Sequence, residues 1–255
     1  LHRQSIAQGL TWFMVGLATL LCFYGAWQFA SSSNTVWGLD RGEGYSHRAS
    51  GSYVCPNHFA GLLEMLSPVA LAIVVAGRIK PVGRILLGYS ALAMLAGLAL
   101  TLSRGGWVAG AAGMIFVLVA LARHRDYRWS ALIALALFLT VGGAAAMRTR
   151  SLQQRLRAAD DFNPQARNTR PMIWTAAIAM WRDHPWLGVG PAHFSERFKQ
   201  YRTHWAYAEP ERAHNDYLDC LADWGVAGAA ILGTTWILLA VGGLRTLRQV
   251  RRDPG

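Results

Sequence analysis

Residues 85–122 read ILLGYSALAMLAGLALTLSRGGWVAGAAGMIFVLVALA, and the one charged side chain in the stretch is Arg104. The hydrocarbon core of a bilayer takes about 20 predominantly apolar residues per helix. The stretch holds two such runs, Ile85 to Leu102 and one ending near Ala122, joined by the tight polar turn Ser103-Arg104-Gly105-Gly106. It therefore reads as two membrane spans meeting at a short turn. A soluble domain of this length is richer in charge and does not carry its apolar residues in unbroken runs.

The pattern repeats outward from this pair. A first span covers about Gly9 to Ala30 and a second about Asn57 to Gly77, with Pro68 inside it as a kink. A fifth covers about Trp129 to Met147 and a last one about Gly225 to Leu244. The fold class is thus an all-α polytopic membrane protein of about six spans. Residues 1–147 hold five spans with short loops, 148–224 form one long polar loop, and 225–255 hold the last span and a basic tail. The chain begins at Leu1, and its first segment has the basic start and apolar run of a signal peptide. That run is long enough to span and more spans follow it, so it reads as a true helix at a truncated start, within a longer protein.

A net charge of +11 raises the question of nucleic acid, and its placement answers it. Arg3, the link Arg78 to Arg84, the link Arg123 to Arg128 and the tail from Arg245 together hold eleven Lys and Arg, and alternation of the spans puts all four on one side. Ser31–Pro56 and the Ser103–Gly106 turn fall on the other side, with only Arg41, Arg48 and Arg104. Basic short loops face the cytoplasm, and long loops are exempt. Both termini are therefore expected in the cytoplasm and the long loop on the opposite face of the membrane, with the bilayer as partner and no nucleic acid. Cys22, Cys55 and Cys220 are scattered, without metal-like or redox spacing.

The long loop has its own structure. Arg170 to His184 places Ile173, Ala176, Ala177, Met180 and Trp181 at helical spacing. Asn168 or Thr169 can cap that helix, Pro171 suits its first turn and Pro185 ends it. The turn Gly188-Val189-Gly190-Pro191 leads to a second helix, about Ala192 to Tyr201, and a third begins near Glu209 to Ala213 and runs toward the last span. Trp174, Trp181, Trp186, Trp205 and Trp224 suit a structure lying on the membrane surface.

Ionisable groups at membrane depth default to function. Glu64 lies in the second span and Arg104 in the turn before the fourth; they can bind a substrate, or pair with each other or snorkel. Ser103 and two glycines flank Arg104 with backbone N–H groups suited to an anion or a tight hairpin. Arg170, at a helix start, can meet a phosphate with dipole and guanidinium together, or be a solvated arginine. His214, in Ala213-His214-Asn215-Asp216-Tyr217, stands just before the last span as a general base or a surface histidine. His214, Asp216 and Asp219 match no strong metal-ligand spacing, so neither metal nor cofactor is expected. His58 and His193 are weaker candidates.

Taken together, Asn57 to Met65, Leu102 to Trp107, Arg170 to Trp174, Asp183 to Pro191, Ala213 to Leu218 and Gly225 to Gly228 resemble the O-antigen ligase and polymerase superfamily of bacterial inner-membrane glycan transferases. The resemblance covers about Ser50 to Leu244, the C-terminal half of such proteins, which have ten or more spans. It implies a metal-independent, inverting glycosyltransferase that moves a glycan from undecaprenyl pyrophosphate to an acceptor hydroxyl at the periplasmic face. The acceptor is a glycan or a lipid A core sugar. Arg104, Arg170 and His214 are then the catalytic set, the arginines on the pyrophosphate and the histidine on the hydroxyl, while Asn57, Glu64, Ser103 and Asn215 bind substrate. An O-antigen or exopolysaccharide polymerase is the alternative within the superfamily. A membrane transporter is the alternative outside it, since some members were once named bicarbonate transporters. An inactive fragment or assembly partner is the third reading.

Overall fold

The structure is a computed structural model that describes residues 2–41, 45–148, 170–202 and 210–252. Its contacts divide the chain into two compact units, Leu1–Asp161 and Phe162–Gly255.

Among its described residues the first unit has α1 (His2–Ala30), α2 (Pro56–Ala76), α3 (Pro81–Leu100), α4 (Arg104–Ala122) and α5 (Arg128–Arg148). Local chemistry sets their starts. Pro56 and Pro81 occupy the first turns of α2 and α3, where a missing N–H costs nothing. Ser103 caps α4, its Oγ accepting from the Gly106 N–H at 3.4 Å. Pro68 is accommodated inside α2.

Lipid tails are as apolar as leucine, so helices in a bilayer associate through close packing rather than the hydrophobic effect. The first unit packs accordingly. On α4, a Cβ at Gly106 would come 2.7 Å from Ala60 Cβ, at Gly110 3.6 Å from Glu64 Cβ, and at Gly113 3.2 Å from Pro68 Cγ. Contacts that advance together along both helices mean that α2 and α4 run parallel, with glycines letting the backbones close up. On α3, a Cβ at Gly97 would come 2.7 Å from the Cys22 Sγ of α1. Phe59, Leu63, Leu87 and Met94 fill the space between, while Phe13, Leu20, Phe116 and Leu137 point outward, as lipid-facing side chains do.

Between α1 and α2 the chain forms a two-stranded hairpin, β1 (Thr35–Val36) and β2 (Leu39–Asp40), in antiparallel register. Its two-residue loop puts both Trp37 and Gly38 at positive φ, +51° and +86°. From sequence this segment reads only as part of Ser31–Pro56, the connection between the first two spans. The hairpin leaves the all-helical character intact.

The second unit holds α6 (Arg170–Asp183), α7 (Phe194–Tyr201) and α8 (Asp216–Arg252). The expected apolar face of α6 is its buried face: Ile173, Ala176, Ala177 and Met180 pack with Phe194, Phe198, Ala213 and Ala222. The third loop helix starts later than expected, at Asp216, and runs on into the last span. Ala213 and His214 precede it because His214 takes positive φ, +53°, which no α-helix admits. The proposed capping residues Asn168 and Thr169, together with Trp205 and Glu209, lie outside the described residues.

Helix α8 is broken at Gly225 (φ +62°, ψ −157°), and the break is filled by the loop after α6. The Ala222 and Asp223 carbonyls, which would have received the Val226 and Ala227 N–H groups, accept instead from Val189 N (2.8 Å) and Gly190 N (3.1 Å). The freed N–H groups of Val226 and Ala227 donate to Pro185 O (2.8 Å) and Trp186 O (3.1 Å). Four bonds to the loop replace two in the helix, so these four backbone groups keep partners across the break. The loop approaches so closely that a Cβ at Gly188 would lie 2.4 Å from the Asp223 carbonyl carbon, and one at Gly225 2.5 Å from that of Trp186.

Among the described residues, five helices are long and apolar enough to cross a membrane: Ile6–Ala30, Pro56–Ala76, Pro81–Leu100, Arg104–Ala122 and Asp216–Arg245. The sixth expected span, α5, runs Arg128–Arg148, and its described apolar stretch is Arg128–Ala144.

Candidate functional site

In the first unit the polar residues gather at one end, where α1, α3 and the starts of α2 and α4 meet the segment after the hairpin. Gln28, fully buried at the end of α1, donates through Nε2 to Thr35 O and Gly51 O (both 3.1 Å) and accepts from Ser50 N at 3.1 Å. Arg41 is buried among oxygens: Nη1 donates to Arg48 O (3.0 Å) and Ser50 Oγ (2.7 Å), and Nη2 to Tyr45 O (3.1 Å) and Ser33 O. Burial lowers its pKa, with Tyr24 acting the other way, although a guanidinium stays charged throughout the accessible range.

Arg48 is the link to the α3–α4 turn. Its Nε donates to Thr101 O at 2.8 Å, its Nη2 donates to Asn57 Oδ1 at 3.0 Å, and its guanidinium lies 6.0 Å from the Tyr45 ring centroid. The Ala49 N–H donates to Leu100 O beside it. The turn so held is strained, with Leu102 at φ +52°. Thr101 Oγ1 accepts from Ser103 N at 3.2 Å, and Ser103 in turn caps α4. Of the residues named from sequence, Asn57 thus faces Arg48, Ser103 is a helix cap, and Arg104 stands exposed as the first residue of α4. Glu64 is half-buried at the level of Gly110. Gly110 is six residues beyond Arg104, about 9 Å along the axis at 1.5 Å per residue, so Glu64 sits deeper than the arginine. Sequence reading missed Gln28, Arg41 and Arg48; the available signal was charge within a Ser- and Gly-rich segment abutting spans.

In the second unit Arg170 is exposed and is the first described residue of α6. One turn on, Trp174 Nε1 donates to Ala213 O at 3.0 Å. The Ala213 N–H donates to Asp219 Oδ1 at 2.8 Å, so both polar groups of this fully buried residue are used. His214 follows, exposed, with its backbone in the left-handed region. The Oδ1 of Asn215, named as a substrate ligand, caps α8, accepting from Tyr217 N (3.1 Å) and Leu218 N (3.3 Å). Asp219 also stands 3.6 Å from Arg212 Nη1. The same Nη1 lies 3.4 Å from Asp223 Oδ2, which accepts from Ala192 N at 2.9 Å. Asp223, which sequence reading passed over, ties the segment before His214 to the Gly190–Ala192 corner. Tyr201, whose hydroxyl bonds Asp183, has its pKa raised first by burial and then by that carboxylate. His193 bonds the Pro191 carbonyl at 2.9 Å.

The tryptophans divide. Trp174 and Trp181 are half-buried, whereas Trp186 and Trp224 remain exposed beside the break in α8.

Long apolar helices with a polar helical segment before the last of them define a multi-pass membrane protein. The chain belongs to the O-antigen ligase family, whose model matches residues 89–233, and so to the O-antigen ligase and polymerase family of membrane glycan transferases. Ser103, Arg104, Arg170, His214 and Asn215 fall inside the matched range, and Asn57 and Glu64 outside it. Neither the curated proteins nor the solved structures provide a match.

Proposed function

We propose that the protein transfers a glycan from an undecaprenyl-pyrophosphate carrier to a sugar hydroxyl, with His214 as general base. The observation that carries this reading is His214 itself. An exposed imidazole on a left-handed, non-glycine backbone stands where the last span begins, within the range that matches the family. Such backbone strain costs about 1–3 kcal/mol and clusters at functional sites.

In this mechanism the acceptor oxygen attacks the anomeric carbon of the first sugar, and the bond from that carbon to the phosphate oxygen breaks. Its electron pair leaves with undecaprenyl pyrophosphate, and the hydroxyl proton passes to His214. Attack from the face opposite the leaving group inverts the anomeric centre. Pyrophosphate is already a good leaving group, so charge neutralisation and orientation are the main demands. Arg170, at the start of α6, is proposed to meet that charge through guanidinium and helix dipole together. Arg104, at the start of α4, is assigned the same role on the same chemistry. With cytoplasmic termini and the segment before the last span on the opposite face, the reading the basic links favour, the reaction belongs to the periplasmic face of the inner membrane.

The test uses membranes holding the protein, a donor labelled in its glycan and a lipid A core or O-antigen acceptor. Label on the acceptor, with undecaprenyl pyrophosphate released in equal amount and the new linkage inverted, is the expected result. Release of free glycan to water without transfer, or a retained linkage, contradicts it.

A further inference from the structure

The two bonds that clamp Ala213 involve side chains outside the proposed catalytic set. Resting on the reading of His214 as the base, we propose that Trp174 and Asp219 are positioning residues that hold His214 in its left-handed conformation and so set the rate of transfer.

A non-glycine residue stays in the left-handed region only where its surroundings over-determine it. At His214 they do. The peptide before it is fixed from two sides, by Trp174 of α6 on the Ala213 carbonyl and by Asp219 of α8 on the Ala213 N–H. The residue after it is fixed by Asn215 capping α8 and by the Asp219 N–H donating to Asn215 O at 2.9 Å. With both ends tied, φ of +53° is the turn that joins them. Arg212 stands near Asp219 Oδ2 at 3.6 Å, which leaves Oδ1 for Ala213.

Helix α6 thereby does two jobs on one face. Arg170 and Trp174 are four residues apart, hence neighbours on the helix surface. The arginine proposed for the leaving group and the indole that fixes the base share one rigid element. Neither Trp174 nor Asp219 touches the reacting atoms; each acts through Ala213 on where the imidazole stands. A base displaced by about 1 Å can cost on the order of a hundredfold in rate, while the arginines that hold the donor are untouched.

The experiment measures kcat and donor KM, per correctly inserted protein in membranes, for Trp174→Phe, Asp219→Ala, Asp219→Asn and His214→Ala. Phenylalanine keeps a ring but has no N–H; asparagine keeps the Oδ1 acceptor without the charge. The expected result is a kcat lowered about tenfold to a hundredfold in Trp174→Phe and Asp219→Ala, with donor KM changed by less than about twofold. Asp219→Asn recovers most of the rate that Asp219→Ala loses. Wild-type kcat in Trp174→Phe, or an effect carried by KM, overturns the inference, as does failure of Asp219→Asn to recover any rate. If Asp219→Ala does not accumulate, Trp174→Phe carries the test. Full turnover in His214→Ala removes the base assignment itself, whereas a silent His214→Ala beside a fully active Trp174→Phe removes only the positioning role.

Discussion

Removing the Arg48 side chain leaves Thr101 O and Asn57 Oδ1 without that donor in a buried corner. Hydrogen bonds to a charged donor contribute about 1.5–3 kcal/mol, so Arg48→Ala is expected to lower the thermal unfolding midpoint of purified protein by several degrees. An unchanged midpoint means that solvent or lipid replaces those bonds. Arg170→Ala, by contrast, removes an exposed cation; it is expected to leave the midpoint alone and to weaken binding of the pyrophosphate-linked donor, read by titration. The two arginines also differ in how they could be found. Arg170 and His214 stood out because a charged or titratable residue at a helix start carries its meaning locally. The role of Arg48 depends on a partner 53 residues away, which no local pattern encodes. Asn215 and Ser103 sit in motifs, and in the structure their oxygens also satisfy helix N–H groups, the commonest task of such residues.

Length and apolar content located α2 to α4 and the end of α1 within a few residues, though α1 starts at His2 rather than near Gly9; helical spacing located α6, because burial leaves a period in the sequence. The inner break of α8 was not legible as such. Gly225 marks where the last span begins, yet its backbone depends on Pro185 to Gly190 docking into it. An alanine there needs a conformation that L-residues avoid and a Cβ 2.5 Å from the Trp186 backbone. Gly225→Ala is therefore expected to destabilise the second unit by more than about 1–3 kcal/mol, visible as lost accumulation or a lowered unfolding midpoint. A wild-type midpoint would show that the loop can be displaced at little cost. The glycines of α4 make a similar demand on α2. Gly110→Leu is expected to force the helices apart and lower the same midpoint, while Gly142→Leu on α5, where a Cβ meets nothing within 4 Å, leaves it unchanged.

Across the molecule, hydropathy supplied the class of protein, basic residues the expected orientation and the family resemblance the catalytic set, whereas the bonds that fix the backbone around His214 were not legible in the sequence. The orientation is tested by single cysteines in a background with Cys22, Cys55 and Cys220 replaced by serine. Ser46→Cys is expected to react with an impermeant maleimide added to the periplasmic side, and Arg125→Cys only after the membrane is opened; the reverse pattern inverts the topology. Whatever the acceptor, the central claim is that an imidazole beside the last span takes the proton of the attacking hydroxyl. General-base catalysis contributes about 10²–10⁴-fold. The most direct measurement is glycan transfer by His214→Ala beside wild type in the same membranes, with donor binding measured on each. The account predicts transfer lowered by at least about a hundredfold with donor binding retained; transfer at the wild-type rate by correctly inserted His214→Ala would contradict it.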